Sequence, residues 1–183
     1  MKKILFLLMS VTLMFAGQCQ YEVKKLDVDW EAYKTPLKLG VKGTFDDVVI
    51  ASTDRSSQDA LLNTATITID TSKINSKNAG RDAKLVKAFF GAQDVKKITV
   101  KVASVQKKII NLNITMNNIT KTVPMKIDFD NDEVEAEGYI DLADFDMLPS
   151  LKSINKACYD LHKGKTWQDV KIKFELETQK HCN

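Results

Sequence analysis

The chain reads as a mainly β protein of eight antiparallel strands with two helical connections, and three observations carry that reading. Alternation is the strongest: in Ile110-Asn-Leu112-Asn-Ile114-Thr-Met116 every second side chain is aliphatic, which gives a strand one oily and one wet face. Short polar links such as Gln106-Lys107-Lys108, Asn117 to Lys121 and Asp130-Asn131-Asp132 are too brief for a parallel crossover, so they make successive strands antiparallel neighbours. Helical patterning falls in two stretches, residues 78–90 and 149–162. A sheet of this size with one apolar face must cover it, by packing a second sheet on it or by closing on itself.

The chain opens with Lys2-Lys3 and an apolar run from Ile4 to Phe15, broken only by Ser10 and Thr12, followed by Ala16-Gly17. A charged start, a short oily core and small residues describe a secretory signal peptide. Residues 1–16 are therefore expected to be a leader, cleaved somewhere between 16 and 19, and residues 17–183 a single domain. The run is shorter than the ~20 apolar residues of a bilayer-spanning helix, and no later segment reaches that length, so no membrane span is expected. Losing Lys2 and Lys3 lowers the formal charge of +3 by two. Such a balance lacks the clustered basic face that nucleic acid requires. Lysines instead alternate with acids, as in Lys171-Ile-Lys173-Phe-Glu175, which suits a solvated outer wall.

The first strand, Val23 to Ala32, turns Leu26, Val28, Trp30 and Ala32 inward until Thr35-Pro36 ends it, since proline supplies no ladder hydrogen bond. Leu39 to Phe45 carries Leu39, Val41, Gly43 and Phe45 on one face. Arg55 to Asn63 is polar around a Leu61-Leu62 pair and reads as a loop or a short turn of helix. Ala65 to Asp70 is the third strand. Asn78 to Phe90 reads as a helix, with Leu85 and Phe89 beside Val86 and Phe90 at four-residue spacing and Gly91 to stop it. Ile98 to Ser104, Ile110 to Met116, Thr122 to Phe129 and Val134 to Leu142 follow as strands. In the long connection from Ala143 to Thr166, Pro149 opens a helix running to about His162, ended by Gly164. Val170 to Leu176 is the eighth strand. Ala136 and Gly138 share the inward face of the seventh, so they either leave interior volume unfilled or make room for large residues opposite, such as Trp30. Eight strands is about the size at which a barrel is filled by its own side chains or holds one small ligand.

Three segments together resemble the YceI-like family of periplasmic polyisoprenoid-binding proteins. They are Leu39-Gly40-Val41-Lys42-Gly43-Thr44-Phe45, then Arg81-Asp82-Ala83-Lys84-Leu85-Val86-Lys87-Ala88-Phe89-Phe90, and Leu112-Asn-Ile114 through Thr120-Lys121-Thr122-Val123. The pattern departs from the family where Pro36 to Lys38 and Lys84 replace usual histidines, Asn117-Asn118 replaces a hairpin glycine, and Leu142-Ala-Asp144-Phe145-Asp146 stands for a late Arg-x-Asp-Phe-Gly. The resemblance implies an eight-stranded antiparallel lipocalin-like β-barrel, located in the periplasm, that holds an amphipathic lipid lengthwise. Each buried methylene contributes about 0.8 kcal/mol while association costs roughly 4 to 15 kcal/mol, so a long-chain isoprenoid or fatty-acyl lipid is favoured over a small metabolite. The expected ligand-binding residues are Trp30, Phe45, Phe89, Phe90, Ile114, Met116, Met125, Ile127 and Ile140, each equally able to be core packing. Arg81 and Asp82 are candidates to meet a polar head group or to brace their helix. A homodimer is left open.

Cys158 and His162, four apart, together with His181-Cys182, have zinc-ligand composition. A strand advancing about 3.3 Å per residue carries Cys182 from Lys165 to the far end of the barrel, however, so no metal site is expected. The same distance disfavours a Cys158–Cys182 bridge. If the first and last strands pair antiparallel, Cys19 lies near Cys182, and outside the cytoplasm such a pair is expected to be a disulfide. With two histidines, both near the C-terminus, no hydrolase triad is visible, and no cofactor or enzyme activity is expected. Asn113-Ile-Thr115 and Asn118-Ile-Thr120 fit a glycosylation pattern but read as strand and turn residues. The reading from another class is a secreted scaffold with a filled core that presents Arg55 to Asn63 and Lys73 to Gly80 to a partner; a redox protein using Cys158 is the third.

Overall fold

A computed structural model describes residues 19–162 and 164–182; the leader expected over residues 1–16 lies outside them. Ten strands, β1 (Cys19–Lys34), β2 (Leu39–Phe45), β3 (Val48–Ala51), β4 (Thr66–Asp70), β5 (Ile74–Asn75), β6 (Lys97–Gln106), β7 (Ile109–Met116), β8 (Ile119–Asp130), β9 (Glu133–Asp141) and β10 (Thr166–Cys182), form one sheet. Its order is β3-β4-β6-β7-β8-β9-β10-β1-β2-β5, and the paired neighbours are antiparallel throughout.

Each of the eight expected segments overlaps a strand, but the count of eight is corrected to ten. β3 and β5 have four and two residues, too few for alternation to register. β2 and β3 are separated by Asp46 and Asp47 alone, yet β2 pairs with β1 towards one end of the sheet and β3 with β4 at the other. The sheet therefore curls until its ends meet along one bent path of chain. Among the described residues no ladder closes that seam. Tyr21 N–H donates across it to the carbonyl of Arg55 at 2.8 Å, and the result is a curled half-barrel rather than a barrel hydrogen-bonded all round.

Inside and outside follow the alternation. On β7, Ile110, Leu112, Ile114 and Met116 are buried, while Asn113 accepts from Thr122 at 2.7 Å and Thr115 bonds Thr120 at 2.8 Å on the outer wall. Asn117 and Asn118 take φ of 52° and 61°, the double positive φ of a tight hairpin turn. On the outer face of β9 and β10, Lys171 reaches Glu137 at 2.7 Å and Lys173 reaches Glu135 at 2.8 Å. One expected inward residue is displaced: Leu39 is 52% exposed, because it lies at the start of β2 beyond the wall that Val41 and Phe45 continue.

The two ends of the half-barrel are closed differently. At the end holding Cys19 and Cys182, α1 (Gln58–Asn63) plugs the interior with buried Leu61 and Leu62, and Gln58 bonds Thr178 at 3.2 Å. Cys19 and Cys182 face each other in the β1–β10 register and form a disulfide. At the other end, α2 (Ala79–Lys84) starts at Asn78, whose side chain accepts from Arg81 N–H at 2.9 Å. The single helix expected from Asn78 to Phe90 is not regular. It widens into a π-helical turn over Leu85–Phe89 and tightens into a 3₁₀ turn over Phe90–Gln93. The second expected helix also divides, into α3 (Leu148–Ala157) and α4 (Tyr159–His162). At the break Cys158 N–H bonds Ile154 while Leu161 N–H turns to Cys158, each at 3.0 Å. Gln93 ties the two helical segments together, accepting from Ser150 Oγ at 2.8 Å and donating to the carbonyl of Asp146 at 2.9 Å.

Candidate functional site

The site is built from the strand faces beneath this helical cap. Trp30 projects inward from the middle of β1 and lies flat across β2, where a Cβ on Gly43 would come within 2.4 Å of its ring. Only glycine permits that approach. The indole N–H donates to the carbonyl of Thr44 at 3.2 Å, satisfying its one polar atom. Phe90 meets Phe45 with ring centroids 6.4 Å apart, tilted, and Phe89 with centroids 4.9 Å apart, edge-on, as aromatic quadrupoles prefer.

These rings enclose a cavity of about 120 Å³ whose wall is almost wholly carbon. Of the residues expected from sequence, Trp30, Phe45, Phe89, Phe90, Ile114, Met116 and Ile140 line it. Met125 and Ile127 do not. Met125 is 1% exposed and its Cγ would lie 2.7 Å from a Cβ on Gly138. Of the two readings of Gly138, unfilled volume or room for a large neighbour, the position of Met125 fits the second. Ile127, with Ala136, borders a second void of about 40 Å³ nearer the disulfide end. Phe174 borders both voids and stands between them.

Sequence reading missed several wall residues. Leu151 and Ile154 come down from α3, and Leu85 from the π-helical turn. Trp167, at the start of β10, donates its indole N–H to the carbonyl of Thr35 at 2.8 Å and turns its ring to the cavity. The spacing of Leu151 and Ile154 signals a buried helix face; nothing in the sequence signals which cavity that face covers.

Between α2, α3 and β1 the cavity adjoins a wider mouth of about 430 Å³, with which it shares the wall residues Trp30, Ala32, Leu85, Ile154 and Thr166. The mouth changes chemistry: Lys34, Asn78, Arg81 and Lys84 stand at its rim beside Leu161 and buried Cys158. Arg81 is partly committed, its Nε donating to Ser76 Oγ at 2.9 Å. Asp82 braces the loop before its helix, its Oδ1 accepting from both Ser76 N–H and Ser76 O–H. Beside the rim, burial, a bond to Tyr139 and nearby Glu31 push the Tyr33 hydroxyl up to about 12, so it stays a neutral phenol. The arrangement can sequester an apolar chain and meet a polar group at the exit. Among the described residues no three His, Cys, Asp or Glu side chains are grouped to hold a metal, and Cys182 is already consumed by the disulfide.

Comparison with known proteins places this geometry. The YceI-like domain matches residues 22–178. A polyisoprenoid-binding domain from Saccharophagus degradans, implicated in plant cell wall breakdown, superposes with a TM-score of 0.62 at 11% identity, over 89% of this chain and 98% of that one. BcnA of Burkholderia cenocepacia superposes at 0.59 with 15% identity, over 86% of this chain and 99% of that one. The Campylobacter jejuni YceI protein gives 0.51 at 18% identity, covering 78% and 85%. At these identities the likeness to solved structures speaks for the fold alone. Among curated proteins nothing matches the chain significantly.

Proposed function

Since the chain belongs to the YceI-like family, we propose that it is a periplasmic binding protein, exported by its leader, that holds the tail of a long-chain isoprenoid or fatty-acyl lipid without changing it. The observation that carries this reading is that a cavity walled almost wholly by carbon adjoins a mouth rimmed by polar and basic groups, the two environments an amphipathic lipid needs. The Saccharophagus degradans domain, described as polyisoprenoid-binding, supports the same class of ligand.

Volume sets a condition. A cavity of about 150 Å³ is filled by one benzene, so the 120 Å³ here takes the end of a chain and the mouth takes its continuation. Deeper entry requires side chains to move. Met116 is suited to that because its unbranched thioether repacks at low cost. The π-helical turn that carries Leu85 and Phe89 is a second place for adjustment, since such turns recur at functional sites. The scaffold reading draws on the opposite fact, that Met125 already fills the space beside Gly138.

Native mass spectrometry of the purified protein separates the two. Extra mass that organic solvent releases and that fragments as a lipid supports the carrier; a protein that stays at its bare mass even after incubation with long-chain lipid supports the filled scaffold.

A further inference from the structure

Around the mouth the surface carries large apolar side chains that the lipid cavity does not use. Leu37 is 82% exposed, Leu161 70% and Tyr159 66%. Isolated apolar residues on a surface need no explanation, but several exposed at one end among charges mark an interaction site, and here two distant segments, the β1–β2 hairpin with Leu37 and α4 with Tyr159 and Leu161, are brought to the same end. Thr35 N–H donates to the carbonyl of Lys165 at 2.9 Å, which joins the β1–β2 hairpin carrying Leu37 to the segment after α4. A Cβ on Gly164, next to Lys165, would lie 2.9 Å from the Tyr159 ring. Leu161 and Lys34 face the same mouth.

Backbone geometry holds the hairpin in place. Thr35 has φ of 65° and Lys38 of 55°, an unusual conformation for a β-branched residue. It is retained between the carbonyl of Lys165 and the indole of Trp167, and it leaves Leu37 standing out into solvent.

The charges around the cluster are mostly positive. Lys34, Arg81 and Lys84 rim the mouth, and Lys165 stacks 4.3 Å above the Trp167 ring. Lys38 lies 5.0 Å over Tyr33 and pairs with Asp169 at 2.6 Å. Three carboxylates lie close by, Asp169 held by Lys38, Glu31 near Tyr33, and the exposed Asp160 between Tyr159 and Leu161. Apolar side chains projecting among lysines suit a bilayer interface, where the chains enter the headgroup region and the cations meet anionic lipid.

We infer that this end of the half-barrel docks on an anionic lipid surface, with Leu37, Tyr159 and Leu161 inserted and Lys34 and Lys165 against the headgroups. Leu161 belongs to both the docking cluster and the mouth, so the surface that seats on the bilayer is continuous with the path to the cavity. Docking there would let a lipid pass between membrane and protein without crossing water. The inference goes beyond the carrier reading and stands or falls separately from it.

The test is co-sedimentation of the purified protein with vesicles of phosphatidylcholine alone and of phosphatidylcholine mixed with phosphatidylglycerol, at low and high salt. The expected result is binding to the mixed vesicles that salt weakens. Leu37→Asp should abolish most of it, and Lys165→Glu should reduce it at least about fivefold, the effect of one cation near a charged membrane. Neither residue lines the mouth, so both variants should still take up a fluorescent fatty acid from detergent solution as the parent does. Equal association with both vesicle types, or unchanged binding by Leu37→Asp, would overturn the inference. So would sedimentation velocity showing a dimer that Leu37→Asp dissociates, because the cluster would then be a self-interface. A protein that takes up fatty acid yet ignores vesicles keeps the carrier reading and loses the docking one; the reverse pattern keeps docking and loses the carrier.

Discussion

Gly138 shows how a single residue decides what the interior can hold. Its missing side chain suggested room in the sequence, but Met125 from the neighbouring strand lies where a Cβ would go, with the carbonyl of Pro124 at 3.2 Å. Gly138→Phe should therefore overpack the wall and destabilise the fold by about 1–3 kcal/mol or more, measured as a lower urea midpoint, and Met125→Ala in the same chain should recover part of the loss. If Gly138→Phe unfolds at the parent midpoint yet blocks lipid uptake, the space beside Gly138 is a ligand channel after all. Gly43 repeats the pattern with Trp30. A sequence shows that a side chain is absent; which neighbour fills the gap depends on register, which in both cases is set by a strand pairing, β1–β2 for Gly43 and β8–β9 for Gly138, invisible to one segment alone. The inward positions of Trp30, Ile114 and Met116 were legible because alternation fixes them. Trp167 was not, since it lies at the very start of β10, outside the alternating segment.

Elements were legible where they were long and regular. β7 and β9 follow from pattern alone, while the stretch after Asn78 shows four-residue spacing that fits α and π turns almost equally well. The π turn over Leu85–Phe89 has weaker hydrogen-bond geometry than α-helix and borders the cavity. Amide hydrogen exchange should accordingly be faster across residues 85–90 than across α3, and it should slow on addition of a long-chain fatty acid. Uniform protection of both helical segments, unmoved by lipid, would show that this turn plays no part in admitting a ligand. The outer wall makes a different prediction. Glu135 and Glu175 stand directly opposite in the β9–β10 register, and Lys173 bridges them at 2.8 and 2.6 Å. Its hydrogen bonds to Glu135 and Glu175 outweigh desolvation and raise its pKa above the ordinary 10.5. The stabilisation is thus complete below that ordinary value and is lost as pH rises through the higher folded one. Urea midpoints should fall at strongly alkaline pH more in the parent than in Lys173→Met, with a difference at neutral pH of only about 0.2–1 kcal/mol, as expected of a surface pair. Parallel pH profiles for the two would contradict the bridge.

The whole molecule is a curled sheet stapled at one end and entered at the other. Cys19 and Cys182 are 163 residues apart, so the bridge constrains nearly the entire unfolded chain. Replacing both by serine should cost about 2–5 kcal/mol, seen as a lower urea midpoint, while Cys158, buried and free, should react with a thiol reagent only on unfolding. No change in midpoint would mean that the β1–β10 ladder already does what the bridge was credited with. From sequence the pairing of the first and last strands is the condition for a Cys19–Cys182 bridge, and the structure meets it: β1 begins at Cys19, β10 ends at Cys182, and the two stand opposite in an antiparallel ladder. The mouth was not legible, because Lys34, the Arg81–Lys84 pair of α2 and Leu161 come from three places in the chain and no spacing relates those places. The central claim is that apolar chain is buried inside, and calorimetric titration with saturated fatty acids of increasing length tests it most directly. Each added methylene should raise affinity about fourfold, equivalent to about 0.8 kcal/mol, until the cavity and mouth are filled. An affinity independent of chain length, or no heat of binding at any length, would contradict it.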